Sequence, residues 1–352
     1  MIIDFNFQDF RTKHYGFGFG RAPFVRAGCR VDACLTTGQR HRFPPEEIDA
    51  LIWHFRSDDK SLPEKRFPHA RYVFWVLESA SYLYDISRFD GIFNWTMTYR
   101  LDSDFPRPYS QVYRRKKPLD ISSTRNYAKG KTKMAAWFVS HCNLSEEEKC
   151  GLVDTLQQWI EVDIFGACGP LKCELSQQYE CHKALNETYK FYLAFENSLC
   201  QDYVTEKLFN MLELDVIPVV YGLGNYSVQA PPHSYIDALS FPTAKDLADY
   251  LLYLHGNDTA YNEYFTWKTD YFVSGDWIQR AQAFCALCES LHADNSTKVY
   301  DLSKWFVEEA HCLAKTMLEI RDFIGGHQYH PIVVFLSCTF MVLGIVAYGY
   351  FH

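Results

Sequence analysis

Residues 189–222, with the sequence YKFYLAFENSLCQDYVTEKLFNMLELDVIPVVYG, decide how this chain folds. The segment contains two aromatic and apolar runs, residues 191–195 and residues 216–221, each suited to a strand that is buried on both faces. Between them lie a polar loop and a stretch, residues 204–212, whose apolar side chains follow helical spacing. The pattern predicts a βαβ unit, in which a helix connects two parallel strands.

The start of the predicted helix carries groups that suit an anion. Asp202 or Thr205 can cap it, and Glu206 and Lys207 occupy its first turn. The free N–H groups at a helix start attract negative charge, and the Lys207 ammonium adds a positive charge beside them. A nucleoside diphosphate would fit there. A cap followed by a solvent-exposed Glu–Lys pair has the same pattern, and this segment alone leaves both readings open.

The composition suits a chain with two globular domains. A chain of 352 residues is long enough for two cores, and its 17% aromatic content favours a dense interior. The net charge of −8 argues against a nucleic-acid binder, because no basic stripe stands out beyond the short run at residues 114–117.

Strands and helices alternate along the chain in two blocks. Strands are predicted at residues 50–53 and 72–77 of the first block, and a loop rich in Lys, Arg, Ser and Gly separates it from the second. The second block begins with a predicted strand at residues 134–139, a helix at 146–159 and a strand at 162–165. Parallel sheets bind ligands beyond the carboxyl ends of their strands, so we expect the site in the crevice between the blocks.

Cysteines and glycosylation sequons together indicate a lumenal protein. Disulfides and N-glycans both form in the secretory compartments, and the chain is rich in the residues that both need. It contains twelve cysteines and six Asn-x-Ser/Thr sequons, at Asn94, Asn143, Asn186, Asn225, Asn257 and Asn295.

Residues 332–351, IVVFLSCTFMVLGIVAYGYF, run for twenty positions without a charge. At about 1.5 Å per residue, a helix of that length spans the hydrocarbon core of a bilayer. We predict a transmembrane helix; the alternatives are a buried core helix, which seldom runs so long without a charge, and the removed tail of a lipid anchor. The first twenty residues lack the uninterrupted apolar core of a signal peptide, so the sequence leaves open how the chain enters a lumen.

Several of these segments resemble the α1,3-fucosyltransferases, glycosyltransferase family 10. The run FYLAFENS followed by DYVTEKL is similar to the donor-binding signature of that family. The cysteine spacing at residues 166–173 is most similar to that of invertebrate members. Other similar segments, in family order, are RYVFWVLES at residues 71–79, FNWTMTYRLDSDFPRPY at 93–109, WFVSH at 137–141 and YFTWK at 264–268.

The resemblance implies a GT-B fold, in which two facing Rossmann-like α/β domains hold the active site in their cleft. It also implies a Golgi membrane enzyme with a luminal catalytic domain, although family members usually carry their anchor at the N-terminus. The domains are expected to be a stem-like segment (1–28), an acceptor domain (29–133), a GDP-fucose-binding domain (134–312), a linker (313–331) and the transmembrane helix (332–351).

The implied reaction is transfer of L-fucose from GDP-β-L-fucose to a GlcNAc hydroxyl, in α1,3 linkage and with inversion. The acceptor would be a glycan of a glycoprotein or glycolipid, either an N-acetyllactosamine antenna or the core GlcNAc of an N-glycan, and the cysteine pattern leans to the core. We expect no tightly bound cofactor and no metal site, with Mn²⁺ stimulating at most. The alternative is a catalytically silent homologue that binds glycans or acts as a scaffold in the Golgi.

Residue roles follow from the same resemblance. Glu78 matches the catalytic carboxylate and would be the general base, although a strand-end glutamate bonded to a neighbouring loop would have the same pattern. Lys207 would stabilise the leaving diphosphate. His54 and Arg56 fall in the loop where the family reads its acceptor. The other residues implied in donor binding are Ser140, His141, Tyr192, Tyr203 and Glu206.

One position departs from the family pattern. Where the family usually has an arginine that contributes to diphosphate binding, this chain has Glu148, followed by Lys149. A shift of one residue along the helix would let Lys149 replace the arginine, without its bidentate fork.

The resemblance also implies a disulfide clamp that ties Cys29 and Cys34 to Cys285 and Cys288, in preference to a zinc site. We predict another bridge between Cys142 and Cys200, because both follow strands that are expected to be close in the sheet. Cys338 lies in the membrane segment. The sequence leaves open the pairing of Cys150, Cys168, Cys173, Cys181 and Cys312.

Overall fold

The computed structural model describes residues 1–4, 16–39, 43–57, 59–83, 85–121, 125–139, 151–293 and 298–313. The first part of the chain contains β1 (Ile2–Asp4), α1 (Ala22–Ala27), β2 (Thr36–Thr37), β3 (Ala50–His54), β4 (Arg71–Val76), β5 (Trp95–Thr98) and β6 (Gln111–Arg114). The second part contains β7 (Lys133–Val139), α2 (Gly151–Leu156), β8 (Val162–Gly166), α3 (Gln178–Thr188), β9 (Tyr189–Phe195), α4 (Glu206–Leu212), β10 (Ile217–Tyr221), α5 (Tyr226–Gln229), β11 (Ile236–Asp237), α6 (Ala244–Gly256), α7 (Asp258–Glu263), β12 (Tyr271–Ser274) and α8 (Trp277–Ala293).

The first sheet is parallel, with the strand order β2-β1-β3-β4-β5. All five residues of β3 are buried, because successive side chains enter different cores on the two faces. Ala50 and Ile52 pack into a cluster with α8, whereas Leu51 and Trp53 pack into a cluster that includes Leu302 and Phe306. The last elements of the chain thus complete both cores of the first sheet.

The second sheet is also parallel, with the order β11-β10-β9-β7-β8. Its central strand β9 is buried along all seven residues. The predicted βαβ unit is confirmed: Phe191 of β9 is paired with Ile217 of β10, and α4 connects the two strands. The helix predicted at 146–159 appears as α2, Gly151–Leu156, and residues 140–150 lie outside the described part of the chain.

Two disulfides join the beginning of the chain to α8. Cys29 is bonded to Cys285 and Cys34 to Cys288, so the predicted clamp is confirmed. The bridges close loops with sequence separations of 256 and 254 residues. Closing such long loops removes much of the conformational entropy of the unfolded chain, which stabilises the attachment of α8 to the first sheet.

The predicted bridge between Cys142 and Cys200 is wrong, because Cys200 is bonded to Cys312. The chain segment after β9 runs antiparallel to the last described residues: the Leu313 N–H donates to Leu199 O and the Gln201 N–H donates to Ala310 O, both at 2.8 Å. This pairing turns the Cys200 side chain toward Cys312. Another disulfide joins Cys173 to Cys181, which are only 8 residues apart in sequence. The sequence analysis left the pairing of these two cysteines open.

Within the described residues, no helix is both long and apolar enough to cross a bilayer. The transmembrane helix predicted at residues 332–351 lies outside these residues.

Candidate active site

Glu78 follows the carboxyl end of β4, between β3 and β5. The Tyr109 hydroxyl donates a hydrogen bond of 2.9 Å to Leu77 O and so fixes the backbone beside it. The Glu78 side chain is 33% exposed, and its Oε1 lies 4.0 Å from Nε of Arg56. The Glu78 carboxylate therefore faces solvent from a fixed turn at the carboxyl end of an internal strand of the first sheet.

The two residues predicted for the acceptor loop occupy different environments. His54 ends β3 and is 2% exposed, with its ring against Trp75 at a centroid distance of 4.6 Å. Burial, aided by the positive charges of Arg107, Lys60 and Arg56, lowers the pKa of His54 to about 3, so the imidazole is neutral at physiological pH. The Arg56 side chain is 57% exposed. Arg56 thus faces solvent, and His54 lies beneath the surface.

Thr205 is the cap of α4, as one of the two alternatives predicted. Its Oγ1 accepts from the Lys207 backbone N–H at 3.4 Å. The other alternative, Asp202, instead adopts a left-handed backbone with φ of 62°, and its Oδ2 accepts from the N–H of Leu101, in the turn after β5, at 3.2 Å. Asp202 therefore connects the two halves of the protein, while Thr205 begins the helix.

Lys207 is a largely buried cation at the carboxyl edge of the second sheet. Its Nζ lies 3.2 Å from Thr205 Oγ1, 3.3 Å from Glu206 Oε1 and 3.6 Å from Glu196 Oε2. Burial lowers its pKa, but the carboxylates of Glu196 and Glu206 outweigh burial and the pKa lies above its ordinary value. With 19% of its side chain exposed, Lys207 is held in place, in contrast to Glu206 at 53%.

Glu196 is a site residue that the sequence did not reveal. Its side chain is 1% exposed, and its two carboxylate oxygens accept from the backbone N–H and the hydroxyl of Thr205, each at 2.8 Å. Burial raises the pKa of Glu196 to about 7, although Lys207 and the bonds from Thr205 oppose the rise. A signal was present: a glutamate that directly follows a fully buried parallel strand enters the ligand-binding edge of the sheet.

The two predicted tyrosines are buried. Tyr192, on β9, packs against Phe138 with a centroid distance of 5.6 Å. Tyr203 packs against Tyr99 at 4.9 Å and Tyr109 at 6.4 Å, both from the first half of the chain. Burial raises the pKa of both hydroxyls above their ordinary range, so both are protonated. Tyr203 thereby docks the segment before α4 onto the first sheet.

Three predicted donor-binding residues, Ser140, His141 and Lys149, lie outside the described residues. The strand that precedes the first two, β7, ends at Val139 and is the neighbour of β9 in the sheet.

The described residues contain one group of side chains with metal-binding spacing, formed by Cys34, Cys288 and His292. Its two sulfurs are joined in a disulfide, so they are not thiolate ligands. The carboxylates of the sequence Asp102-Ser103-Asp104 are engaged with protein groups: Asp102 accepts from Arg100, and Asp104 accepts from Thr96 at 2.8 Å.

The protein has two parallel sheets, with an anchored cation beyond the carboxyl ends of the strands in one and an accessible carboxylate beyond the carboxyl ends in the other. This arrangement is the one expected of a glycosyltransferase of the two-domain type. Comparison with known proteins specifies the family. The model of the C-terminal part of "Glycosyltransferase family 10 (fucosyltransferase)" matches residues 128–305, and that of "Fucosyltransferase, N-terminal" matches residues 6–110. The chain belongs to glycosyltransferase family 10, the fucosyltransferases.

The relatives agree with this assignment. "Alpha-(1,3)-fucosyltransferase C" of Drosophila melanogaster is 38% identical over 305 residues, which cover 79% of this chain and 70% of the relative. "Glycoprotein 3-alpha-L-fucosyltransferase A" of the same organism is 36% identical over 305 residues, covering 84% of this chain but 59% of the relative. The expected similarity to invertebrate members is confirmed.

A solved structure supports the fold. The crystal structure of an α1,3-fucosyltransferase with GDP-fucose superposes with a TM-score of 0.52 at 16% identity, covering 84% of this chain and 90% of that one. At this identity the likeness concerns the fold alone, and it confirms two Rossmann-like α/β units of the GT-B type.

Proposed function

We propose that this chain transfers L-fucose from GDP-β-L-fucose to a GlcNAc hydroxyl, in α1,3 linkage and with inversion at the anomeric carbon. One observation carries the proposal: Glu78 and Lys207 lie at the carboxyl ends of the strands of two different sheets. The chain segment after β9 connects these two ends. Tyr203 and Asp202 of that segment contact Tyr99 and Leu101, which directly follow β5 of the first sheet, and Thr205 holds Glu196 beside Lys207.

Glu78 acts as the base in this proposal. Its carboxylate takes the proton of the acceptor hydroxyl, whose oxygen forms the new bond to the anomeric carbon of fucose while the bond from that carbon to the phosphate oxygen breaks. The bonding electrons leave on GDP. A carboxylate suits this role because it is accessible at the strand end and fixed through Tyr109 and Leu77.

Lys207 stabilises the charge that grows on the leaving diphosphate. An ammonium has three donors; Thr205 and Glu206 lie within reach of two of them, and a phosphate oxygen would take the third. Because Glu196 is a buried neighbour of the ammonium, it fixes the Lys207 side chain before the donor arrives. Catalysis gains from such fixed charges, since they need no rearrangement during the reaction.

The remaining predicted residues complete the proposed donor site. Ser140 and His141 follow β7, next to β9, and are proposed to approach the diphosphate with Lys149. Glu206 is exposed at 53% and is proposed to hold donor hydroxyls. Tyr192 and Tyr203 would support the site from beneath, as their burial suggests. We retain residues 29–133 and 134–312 as the acceptor and donor domains, with the correction that β1, α8 and residues 302–306 pack into the sheet and cores of the acceptor domain.

The proposed acceptors are GlcNAc-containing glycans, and we propose that they contact the exposed Arg56, whose Nε lies 4.0 Å from Glu78 Oε1. The name of the second Drosophila relative specifies a glycoprotein acceptor, which favours a glycoprotein acceptor for this chain as well. The disulfides suit an oxidising lumen, and we propose a Golgi enzyme anchored by residues 332–351.

The test is release of GDP from GDP-fucose by the purified chain, given an antennal and a core N-glycan acceptor side by side. Glu78→Gln should lower kcat by about 10²- to 10⁴-fold, the usual contribution of a general base, and should leave GDP affinity unchanged. Glu64→Gln, which removes an exposed carboxylate from the same half of the chain, is the matched control. Full activity of Glu78→Gln would refute the role of the base. Absence of transfer to both acceptors by the folded wild type would favour the silent homologue.

A further inference from the structure

Three serine hydroxyls meet where the two halves of the protein join. Ser79 Oγ lies 2.7 Å from Ser198 Oγ, Ser81 Oγ lies 2.6 Å from the same atom, and Ser79 and Ser81 lie 2.9 Å apart. Ser198 is 119 residues from Ser79 in sequence, so these bonds join segments that follow strands of different sheets. We name Ser79, Ser81 and Ser198 the serine cluster.

The serine cluster joins the two segments that carry the functional groups. Ser79 is the residue after Glu78, and Ser198 is two residues after Glu196, which contacts Lys207 at 3.6 Å. Ser79 is fully buried and Ser198 is 8% exposed, so water competes little for their bonds. The cluster is therefore a short connection from the proposed base to the proposed donor cation.

Side-chain hydrogen bonds hold the turn that carries Glu78 on two sides. The Tyr109 hydroxyl donates to Leu77 O at 2.9 Å before Glu78, and the serine cluster holds the residues after it. Without the cluster, the turn would keep the bond from Tyr109 and lose its serine hydrogen bonds to the donor side. A displacement of about 1 Å in a reacting group can cost about 10²-fold in rate.

We propose that Ser79 and Ser198 are positioning residues that set the place of Glu78 relative to the bound donor. The inference rests on the proposed function, since it assigns no chemistry to the serines themselves. Their hydrogen bonds fix the turn that carries Glu78 against the segment after β9. A shift of that segment on donor binding would therefore also shift Glu78.

The experiment measures kcat, KM for GDP-fucose and thermal stability for Ser79→Ala, Ser198→Ala and the double variant of the full chain. We expect each single variant to lose about ten- to a hundredfold in kcat, with KM changed less than about twofold. The double variant should lose no more than Ser198→Ala alone, because Ser198→Ala already removes the shared partner of both bonds between the two segments. Ser234→Ala is the matched control: it removes a buried hydroxyl that donates to Pro231 O at 2.7 Å, and kcat should remain at the wild-type level.

Ser81→Ala provides a milder perturbation should a buried variant fail to fold, since Ser81 is exposed. It should lower kcat in the same sense. Unchanged kcat with lowered stability in Ser198→Ala or Ser81→Ala would overturn the inference in favour of a purely structural contact. A raised KM with unchanged kcat would overturn it in favour of a direct donor contact.

Failure of the proposed function gives a different result, since the wild type itself would then transfer no fucose. In that case, hydrogen exchange at the amides of residues 77–83 decides whether the connection exists. Faster exchange in Ser198→Ala than in Ser234→Ala would support the coupling of the two segments, and equal exchange would refute it.

Discussion

Replacing Glu196 with glutamine should change how the stability of this protein depends on pH. The carboxyl has an ordinary pKa of 4.5 and a folded-state pKa of about 7, raised by burial. The folded chain thus binds this proton more tightly than the unfolded chain does, and the contribution of Glu196 to stability falls as pH rises from 4.5 to 7. Each unit of difference between the two pKa values is worth about 1.4 kcal/mol, so the whole effect is about 3 kcal/mol.

Glutamine is isosteric and does not titrate, so Glu196→Gln should remove this dependence. The free energy of unfolding of the variant, minus that of the wild type, should increase by about 2.5 kcal/mol between pH 5 and pH 8. The pKa of Lys207 lies above its ordinary value of 10.5, so that side chain stays charged over the whole range and does not disturb the comparison. The measurement is urea unfolding of both proteins at several pH values.

The wild-type curve alone would conceal the effect. His54 has a pKa lowered to about 3 from 6.5, so its contribution to stability is present above pH 6.5 and falls as the pH decreases. Between pH 7 and pH 5 that loss is about 2 kcal/mol, close to the gain from protonating Glu196. The difference between variant and wild type cancels His54. Glu187→Gln, at an exposed position of α3, is the control, and parallel curves for Glu196→Gln and wild type would refute the burial argument.

Three further predictions concern single side chains. When the pH falls from 7 to 5, the free energy of unfolding of His54→Gln should decrease by about 2 kcal/mol less than that of wild type, as measured by urea unfolding. The same decrease in both proteins would contradict the burial of the imidazole. Lys207→Met should weaken GDP binding in calorimetry by about tenfold or more because Glu196 loses its counter-charge and the phosphate loses a donor, whereas Lys207→Arg should retain most of the affinity. Asn94 is 6% exposed and has three hydrogen-bond partners at 2.8–3.0 Å, so glycopeptide mapping should find it unmodified, and Asn94→Ala should cost about 1–3 kcal/mol in urea unfolding. Asn225→Ala, at an exposed sequon, should change stability little, and a glycan on Asn94 of the folded protein would contradict the structure.

Local pattern was sufficient to predict the central βαβ unit. The apolar runs gave β9 and β10 within two residues of their observed bounds, and the spacing between them gave α4 with Thr205 as one of two possible caps. These features depend on side chains a few positions apart, so a single sequence contains them. The clamp from Cys29 and Cys34 to α8 required the family resemblance, because spacing alone does not determine pairing.

Contacts between distant segments were the ones that local pattern missed. The argument for a bridge between Cys142 and Cys200 used the neighbourhood of two strands, and it could not include the return of residues 310–313 along the segment after β9. Ser198 bonds to Ser79 and Ser81 across the domain boundary, a contact that the sequence around it did not predict. Such partners are chosen by tertiary packing, which no spacing within one segment encodes.

The segment after β9 breaks several local rules at once, and this concentration argues for function. It contains a buried carboxyl at Glu196, a non-glycine residue with positive φ at Asp202 and a buried tyrosine hydroxyl at Tyr203. Each such feature costs stability, and proteins retain them mainly at sites where geometry matters more than stability. The disulfide between Cys200 and Cys312 lies in the middle of this segment and offsets part of that cost. A covalent anchor at the junction of the two sheets suits the proposed mechanism, because its proposed base, Glu78, and its proposed cation, Lys207, belong to different domains.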